Sequence, residues 1–192
     1  LRALYICSQY GFRFKKAYVT LEIDKQRKRT MISPVEAVTA ILALFPYMSG
    51  NNRQCIIEHR TQIEQVLVEA QRQYPEMPTE VLTAVGFMET HLGCDQGEGG
   101  NWGAPISPTR RHVAGTPMQA AVALWRSYEV CHSWEGAARR FRTGLCRNTA
   151  AGLPYSRRAM SVANRLRLLT QNSHQINTTR LCALTPTNCS TM

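Results

Sequence analysis

TEVLTAVGFMETHLGCDQGEGGNWGAPIS, residues 79–107, decides the reading of this chain. Val81, Val85, Met88 and Leu92 recur at helical spacing, so one face of a helix here packs into a core. Glu89 adjoins that face in the last turn before Gly93. Apolar surroundings and the negative end of the helix dipole both disfavour an ionised carboxyl, which predicts a raised pKa. A carboxyl kept neutral near pH 7 is what a general acid for glycosidic cleavage needs. The commoner alternative is an exposed helical Glu, and the flanking segments decide between them.

Upstream, Ser33-Pro34-Val35-Glu36 is a capping box with Pro at the first helical position, and Thr116-Pro117-Met118-Gln119 repeats it downstream. The first opens a helix with Val35, Val38, Ile41/Leu42 and Phe45 inward, ending before Gly50. A second is expected from about Arg53 to Tyr74, with Ile56, Ile63, Val66/Leu67 and Ala70 inward. Pro75 and Pro78 break the chain before the Glu89 helix. The stretch from Gly97 to Gly115 is glycine-rich and reads as a loop or short hairpin. The Thr116 helix should bury Met118, Ala121/Val122, Trp125 and Tyr128. A short helix follows from Ser133 to Phe141, stopping at Gly144. A last helix begins near Ser156 with Ala159, Val162/Ala163, Leu166 and Leu169 inward, and the polar chain beyond Asn172 reads as a surface tail.

The 192 residues suit one domain with an appendage, and 44% hydrophobic residues are enough for a core. No apolar run approaches the length of a membrane span, and the chain opens on Leu1 without the pattern of a secretory signal. The net charge of +10 is unevenly placed. Residues 1–30 carry eight Lys/Arg against two acids, residues 31–135 six against eleven, and residues 136–192 nine Arg and no acid. Such asymmetry points to a polyanion: nucleic acid, anionic lipid or cell wall. Alternation over Ala17–Ile23 and the basic run Lys25–Arg29 predict a separate strand or hairpin arm with a basic linker. Seven cysteines at spacings without a CxxC pair favour one or two disulfides, or buried thiols, over zinc at His91/Cys94 or Cys131/His132.

The order of these parts resembles the lytic transglycosylase domain of lysozyme-like muramidases over roughly residues 50–170. In that family the catalytic helix ends in Glu-Ser, a Gly-rich segment enters the sugar groove, a later helix ends in aromatic-Asn-Ala-Gly, and a Tyr precedes the final helix. Glu89-Thr90, Trp102-Gly103-Ala104-Pro105, Phe141-Arg142-Thr143-Gly144 and Tyr155 with Arg157, Arg158 and Val162 stand at those places. Ile106 replaces the family's Gln and Arg142 its Asn, departures expected to alter sugar contacts and to leave the acid untouched.

The resemblance implies a mainly α fold: a lysozyme-like α-helical domain over residues 33–172 with a short β-like Gly-rich insertion. A separate N-terminal strand/hairpin arm (1–32) and a polar tail (173–192) flank it. It implies cleavage of the β-1,4 bond between N-acetylmuramic acid and N-acetylglucosamine in peptidoglycan, at the cell wall or in the periplasm. Glu89 would serve as acid and then base, giving 1,6-anhydro ends without metal or cofactor. A goose-type-lysozyme-like hydrolase would instead use Asp95 or Glu98 to position water. Thr90 caps the helix or orients the acid, and Trp102 stacks on a sugar or packs over the helix end. With Trp102, Gly103 and Ala104 form the loop side of the site. Phe141 is core or subsite, and Tyr155 binds an N-acetyl group, Glu89 or a neighbouring helix. His91 and His112 are expected to be solvated or structural, and Trp125 core.

By analogy, the N-terminal arm would dock such a domain into a phage virion or secretion apparatus. Two other classes are a nucleic-acid-binding module built on the arginine-rich C-terminal third and an inactive structural component of an assembly. The arginines lack interleaved aromatics beyond Phe141 and Tyr155, which counts against nucleic acid.

Overall fold

A computed structural model describes residues 31–95, 102 and 116–184, with side chains through 173 in the last helix. The chain divides into two units, Leu1–Met31 and Ile32–Met192. The expected N-terminal arm and the glycine-rich insertion, with Glu98, Gly103, Ala104, Ile106 and His112, lie outside the described residues.

The second unit is mainly α. Its helices are α1 (Pro34–Leu44), α2 (Gly50–Glu58), α3 (Arg60–Gln73), α4 (Thr79–Thr90), α5 (Pro117–Cys131), α6 (Trp134–Thr143) and α7 (Gly152–Leu184). Both capping boxes form: Ser33 Oγ accepts from Glu36 N and Thr116 Oγ1 from Gln119 N, each reciprocated by the Glu or Gln side chain. Pro46 ends α1 early by disfavouring helical backbone at Phe45 (φ −120°, ψ 63°). Its core stripe is Pro34, Ala37, Val38 and Ile41, so Val35, expected inward, is exposed.

The single helix expected over Arg53–Tyr74 is two, meeting at His59 (ψ 11°). No Gly or Pro marks this break. Arg60 beside it is held tertiarily, its guanidinium reaching Thr39 Oγ1 on α1 (2.9 Å) as well as Glu64 (2.6 Å). On α5 the buried stripe is Ala120, Ala121, Leu124 and Ser127. Trp125, expected as core, is instead half-buried in an aromatic cluster with Tyr74, Tyr128 and Trp134. Its indole N–H finds Glu129 (3.0 Å), which is why the ring sits at the margin of the core.

The last helix starts four residues before the expected Ser156, because Thr149 caps it: Thr149 Oγ1 accepts from Gly152 N (2.9 Å) and its carbonyl from Leu153 N. Pro154 falls in the first turn, where its missing N–H costs nothing. The helix also runs on through Asn172 to Leu184.

Helix α4 is the centre. Ten of its residues are buried, from Thr79 through Phe87 and Thr90, and it packs against α1, α3, α5 and α7. Helices α5, α6 and α7 pack on one another in sequence. Two disulfides fasten the ends of this layer: Cys55–Cys94 ties α2 to the turn after α4, and Cys131–Cys146 ties the end of α5 to the turn after α6.

Candidate active site around Glu89

Glu89 stands in the last turn of α4, and the turn beyond it is over-determined. His91, Leu92 and Gly93 have φ of 49°, 60° and 88°, three successive left-handed residues. For His91 and Leu92 this conformation costs roughly 1–2 kcal/mol each. It is held by Leu92 N–H donating to Gly86 O (3.1 Å), Gly93 N–H to Thr90 Oγ1 (3.0 Å), and Cys94 and Asp95 N–H to Thr90 O (2.9 and 3.0 Å). Burial of Leu92 and the Cys55–Cys94 bond complete the clamp. Thr90 therefore caps the turn, one of the two roles expected of it.

Asp95 belongs to the same clamp. Its Oδ1 accepts from Asn52 Nδ2 on α2 (3.1 Å) and pairs with His91 Nδ1. The His91 ring sits edge-on to Phe87, with centroids 5.0 Å apart. Asp95, expected as an alternative second carboxylate, and His91, expected to be solvated or structural, are thus both engaged in holding the turn. Cys94 and Cys131, considered for zinc, are oxidised to disulfides.

The Glu89 side chain is 7% exposed, so position 89 does not point into bulk solvent. Two residues from distant parts of the chain meet it. Arg142, in the last turn of α6, donates from Nη1 to Glu89 Oε2 at 3.3 Å, and its guanidinium lies over the Tyr155 ring at 5.8 Å from the centroid. Tyr155, in the first turn of α7, has a buried hydroxyl facing the carboxyl. Burial first, then the negative charge and hydrogen-bonding pull of Glu89, push its pKa well above the ordinary tyrosine value, with Arg142 opposing. Tyr155 is therefore held as a neutral phenol near neutral pH. Yet neither Glu89 Oε1 nor Tyr155 Oη has a partner in good hydrogen-bond geometry. Two buried polar atoms left open are costly in a folded protein.

Trp102 also joins the site from the core side. Its indole is 1% exposed and lies against Gly86, one turn before Glu89 on the same helix face. A Cβ on Gly86 would stand 2.5 Å from Trp102 Cε3. Of the two roles open to Trp102, packing is the one the ring occupies; the glycine slot that receives it explains why it is not an open stacking platform. Phe141 is likewise core, 1% exposed.

The expectation that Arg142 leaves the acid untouched is corrected by the ion pair. Nothing local signalled it, since the two residues are 53 positions apart. A second carboxylate of α4 was also missed. Glu80 in the first turn is 1% exposed and takes two bonds from Arg167 on α7 (2.9 and 2.7 Å), with Oε2 unpartnered beside the unpartnered Thr79 Oγ1. It ties α4 to α7 at the end away from Glu89.

Among the described residues no cluster of His, Cys, Asp or Glu is arranged to hold a metal, and no helix is long and apolar enough to cross a membrane. No protein-family model, curated protein or solved structure matches the chain.

Proposed function

We propose that this chain is a lysozyme-like, peptidoglycan-cleaving enzyme in which Glu89 is the one acid/base. The observation that carries the reading is the pairing of a nearly buried carboxyl, Glu89, with the neutral, buried hydroxyl of Tyr155, each with a polar atom left open. The sequence resemblance of Glu89-Thr90, the aromatic-to-Gly element ending at Gly144 and Tyr155 to the lytic transglycosylase domain supplies the substrate.

In the proposed reaction Glu89 gives its proton to the oxygen bridging N-acetylmuramic acid and N-acetylglucosamine, and the C1–O bond breaks. The resulting carboxylate takes the proton of the muramyl 6-hydroxyl as that oxygen bonds to C1, closing a 1,6-anhydro ring. Glu89 ends protonated, and no water is consumed. Tyr155 donates its hydroxyl hydrogen bond to the sugar or to the carboxyl, holding the acid in place. Engagement of Asp95 by Asn52 and His91 favours this route over a hydrolase with Asp95 as second carboxylate. Disulfides persist in oxidising surroundings, which supports a place of action at the cell wall. Docking of the basic N-terminal segment into a virion or secretion apparatus is part of the same proposal.

The test is digestion of purified murein with mass spectrometry of the products. Anhydro-muropeptides are expected. Reducing ends in their place assign water as the nucleophile, and no release, together with salt-sensitive DNA binding, moves the chain to the nucleic-acid class.

A further inference from the structure

Helix α2 is lightly held. It buries one residue, Ile56, and is tied to α1 by Arg53 Nη1 donating to Leu42 O (2.8 Å). It meets the turn after Glu89 through the Cys55–Cys94 bond and through Asn52 Nδ2 donating to Asp95 Oδ1 (3.1 Å). That turn is strained. His91 and Leu92 are left-handed without being glycine, a conformation that persists only where the surroundings over-determine it. Cys94 stands at its far end, with its N–H returned to Thr90 O (2.9 Å).

Glu89 lies between the buried body of α4 and this turn. The N–H groups of His91 and Leu92 donate back to Phe87 O and Gly86 O. A turn that relaxes therefore unwinds the end of α4 and carries Glu89 away from Arg142 and Tyr155. The core depends on the bond less. Among the described residues the buried core contains no cysteine, and Cys55 and Cys94 are both partly exposed, open to thiol exchange. The other bond, Cys131–Cys146, spans 15 residues and fastens α5 to the turn after α6, helices that already pack on one another.

We propose that Cys55–Cys94 is a redox switch on the Glu89 site: formed, it sets the turn for cleavage, and reduced, it releases the turn and silences the acid. The reductant is a dithiol. One of its thiolates attacks a protein sulfur, and its second thiol displaces the mixed disulfide. Two electrons and two protons pass to Cys55 and Cys94 as the dithiol closes to its own disulfide. The chain is then latent wherever thiols are kept reduced and becomes active in oxidising surroundings. The inference rests on the murein-cleaving reading above and adds the condition under which that site works.

The experiment compares wild type and Cys131→Ser/Cys146→Ser, each oxidised and after dithiothreitol, with alkylation and mass spectrometry identifying the reduced pair. Murein cleavage, circular dichroism and amide exchange are read on each. Reduction of Cys55–Cys94 is expected to lower anhydro-muropeptide release about tenfold or more, to raise exchange at residues 90–95 and to leave the helical dichroism in place. Oxidised glutathione should restore the rate. Release at the oxidised rate from protein with that pair reduced overturns the inference and leaves the murein reading standing. Unfolding throughout does the same, since the bond is then a general fastener. If Cys131→Ser/Cys146→Ser fails to fold, Cys55→Ser/Cys94→Ser takes its place. Cleavage that is low and indifferent to dithiothreitol, with the helices intact, supports the switch, and cleavage near that of wild type overturns it. Absence of release by oxidised wild type overturns the murein reading and the switch with it.

Discussion

Gly86→Ala is the most informative small change at this site, because two effects of opposite sign meet in one methyl group. In an open helix position the added Cβ stabilises by about 1 kcal/mol through reduced backbone freedom. Here that carbon would stand 2.5 Å from Trp102 Cε3, 2.8 Å from Cδ2 and 3.0 Å from Cζ3. Comfortable carbon contacts begin near 3.5 Å, so the indole has to retreat by about 1 Å. Trp102 is 1% exposed, and the plane of a ring cannot bend aside as a flexible tip does. Overpacking of this kind costs roughly 1–3 kcal/mol. The net is a loss of up to about 2 kcal/mol, a fall in Tm of up to about 8 °C at about 2–4 °C per kcal/mol for a domain of this size. Gly86 is one turn from Glu89, so a shift of about 1 Å in the indole should also cut murein cleavage by more than the stability loss accounts for. Thermal unfolding followed by circular dichroism, with cleavage measured well below the Tm, reads both. A rise in Tm would refute the idea that the glycine exists to seat the tryptophan.

Three further outcomes are expected. Tyr155→Phe removes a buried hydroxyl with no good partner, so stability near neutrality should hold or rise slightly, while cleavage falls roughly tenfold. Because the folded protein raises the Tyr155 pKa, the wild type keeps the full benefit below about pH 10 and loses up to about 1.4 kcal/mol per pH unit above it. Urea unfolding between about pH 9 and pH 11 should show this alkaline loss diminished in Tyr155→Phe; an identical loss contradicts the assigned environment. Asp95→Asn should lower Tm by a few degrees through the loosened turn, at about 1 kcal/mol for a half-exposed pair, and leave the anhydro product unchanged. A changed product would give Asp95 a chemical role. Cys55→Ser with Cys94→Ser opens a loop of 39 residues and should cost about 4 kcal/mol by chain entropy, with the turn after Glu89 the first region to gain amide exchange. Exchange rising elsewhere first would show that the disulfide does not hold the site.

Much of the fold was legible because it is written locally. The Ser33 and Thr116 capping boxes, Ser133 ahead of α6 and the left-handed Gly144 (φ 77°) after it act within one turn, and each formed where its residues stand. The position of Glu89 near the end of an apolar helix was legible for the same reason. What was not legible depends on residues far apart. Burial all round α4 hides any one-sided stripe, since neighbours cover every face. The break at His59 coincides with an arginine reaching across to α1, and the aromatic cluster around Trp125 gathers rings from α3, α5 and α6. At the site the same division holds. Glu89 was found from its place at a helix end, and Tyr155 from the family resemblance. The hold of Arg142 on Glu89 and the slot that Gly86 opens for Trp102 needed the tertiary structure.

The acid/base role of Glu89 is tested most directly by Glu89→Gln, which keeps the shape of the side chain and removes its proton chemistry. The measurement is the rate of anhydro-muropeptide release from purified murein, alongside a melting curve and a thiol count showing the fold and both disulfides intact. A loss of about 10²–10⁴-fold or more with the fold preserved is expected. Release by a folded Glu89→Gln at a rate near that of wild type contradicts it.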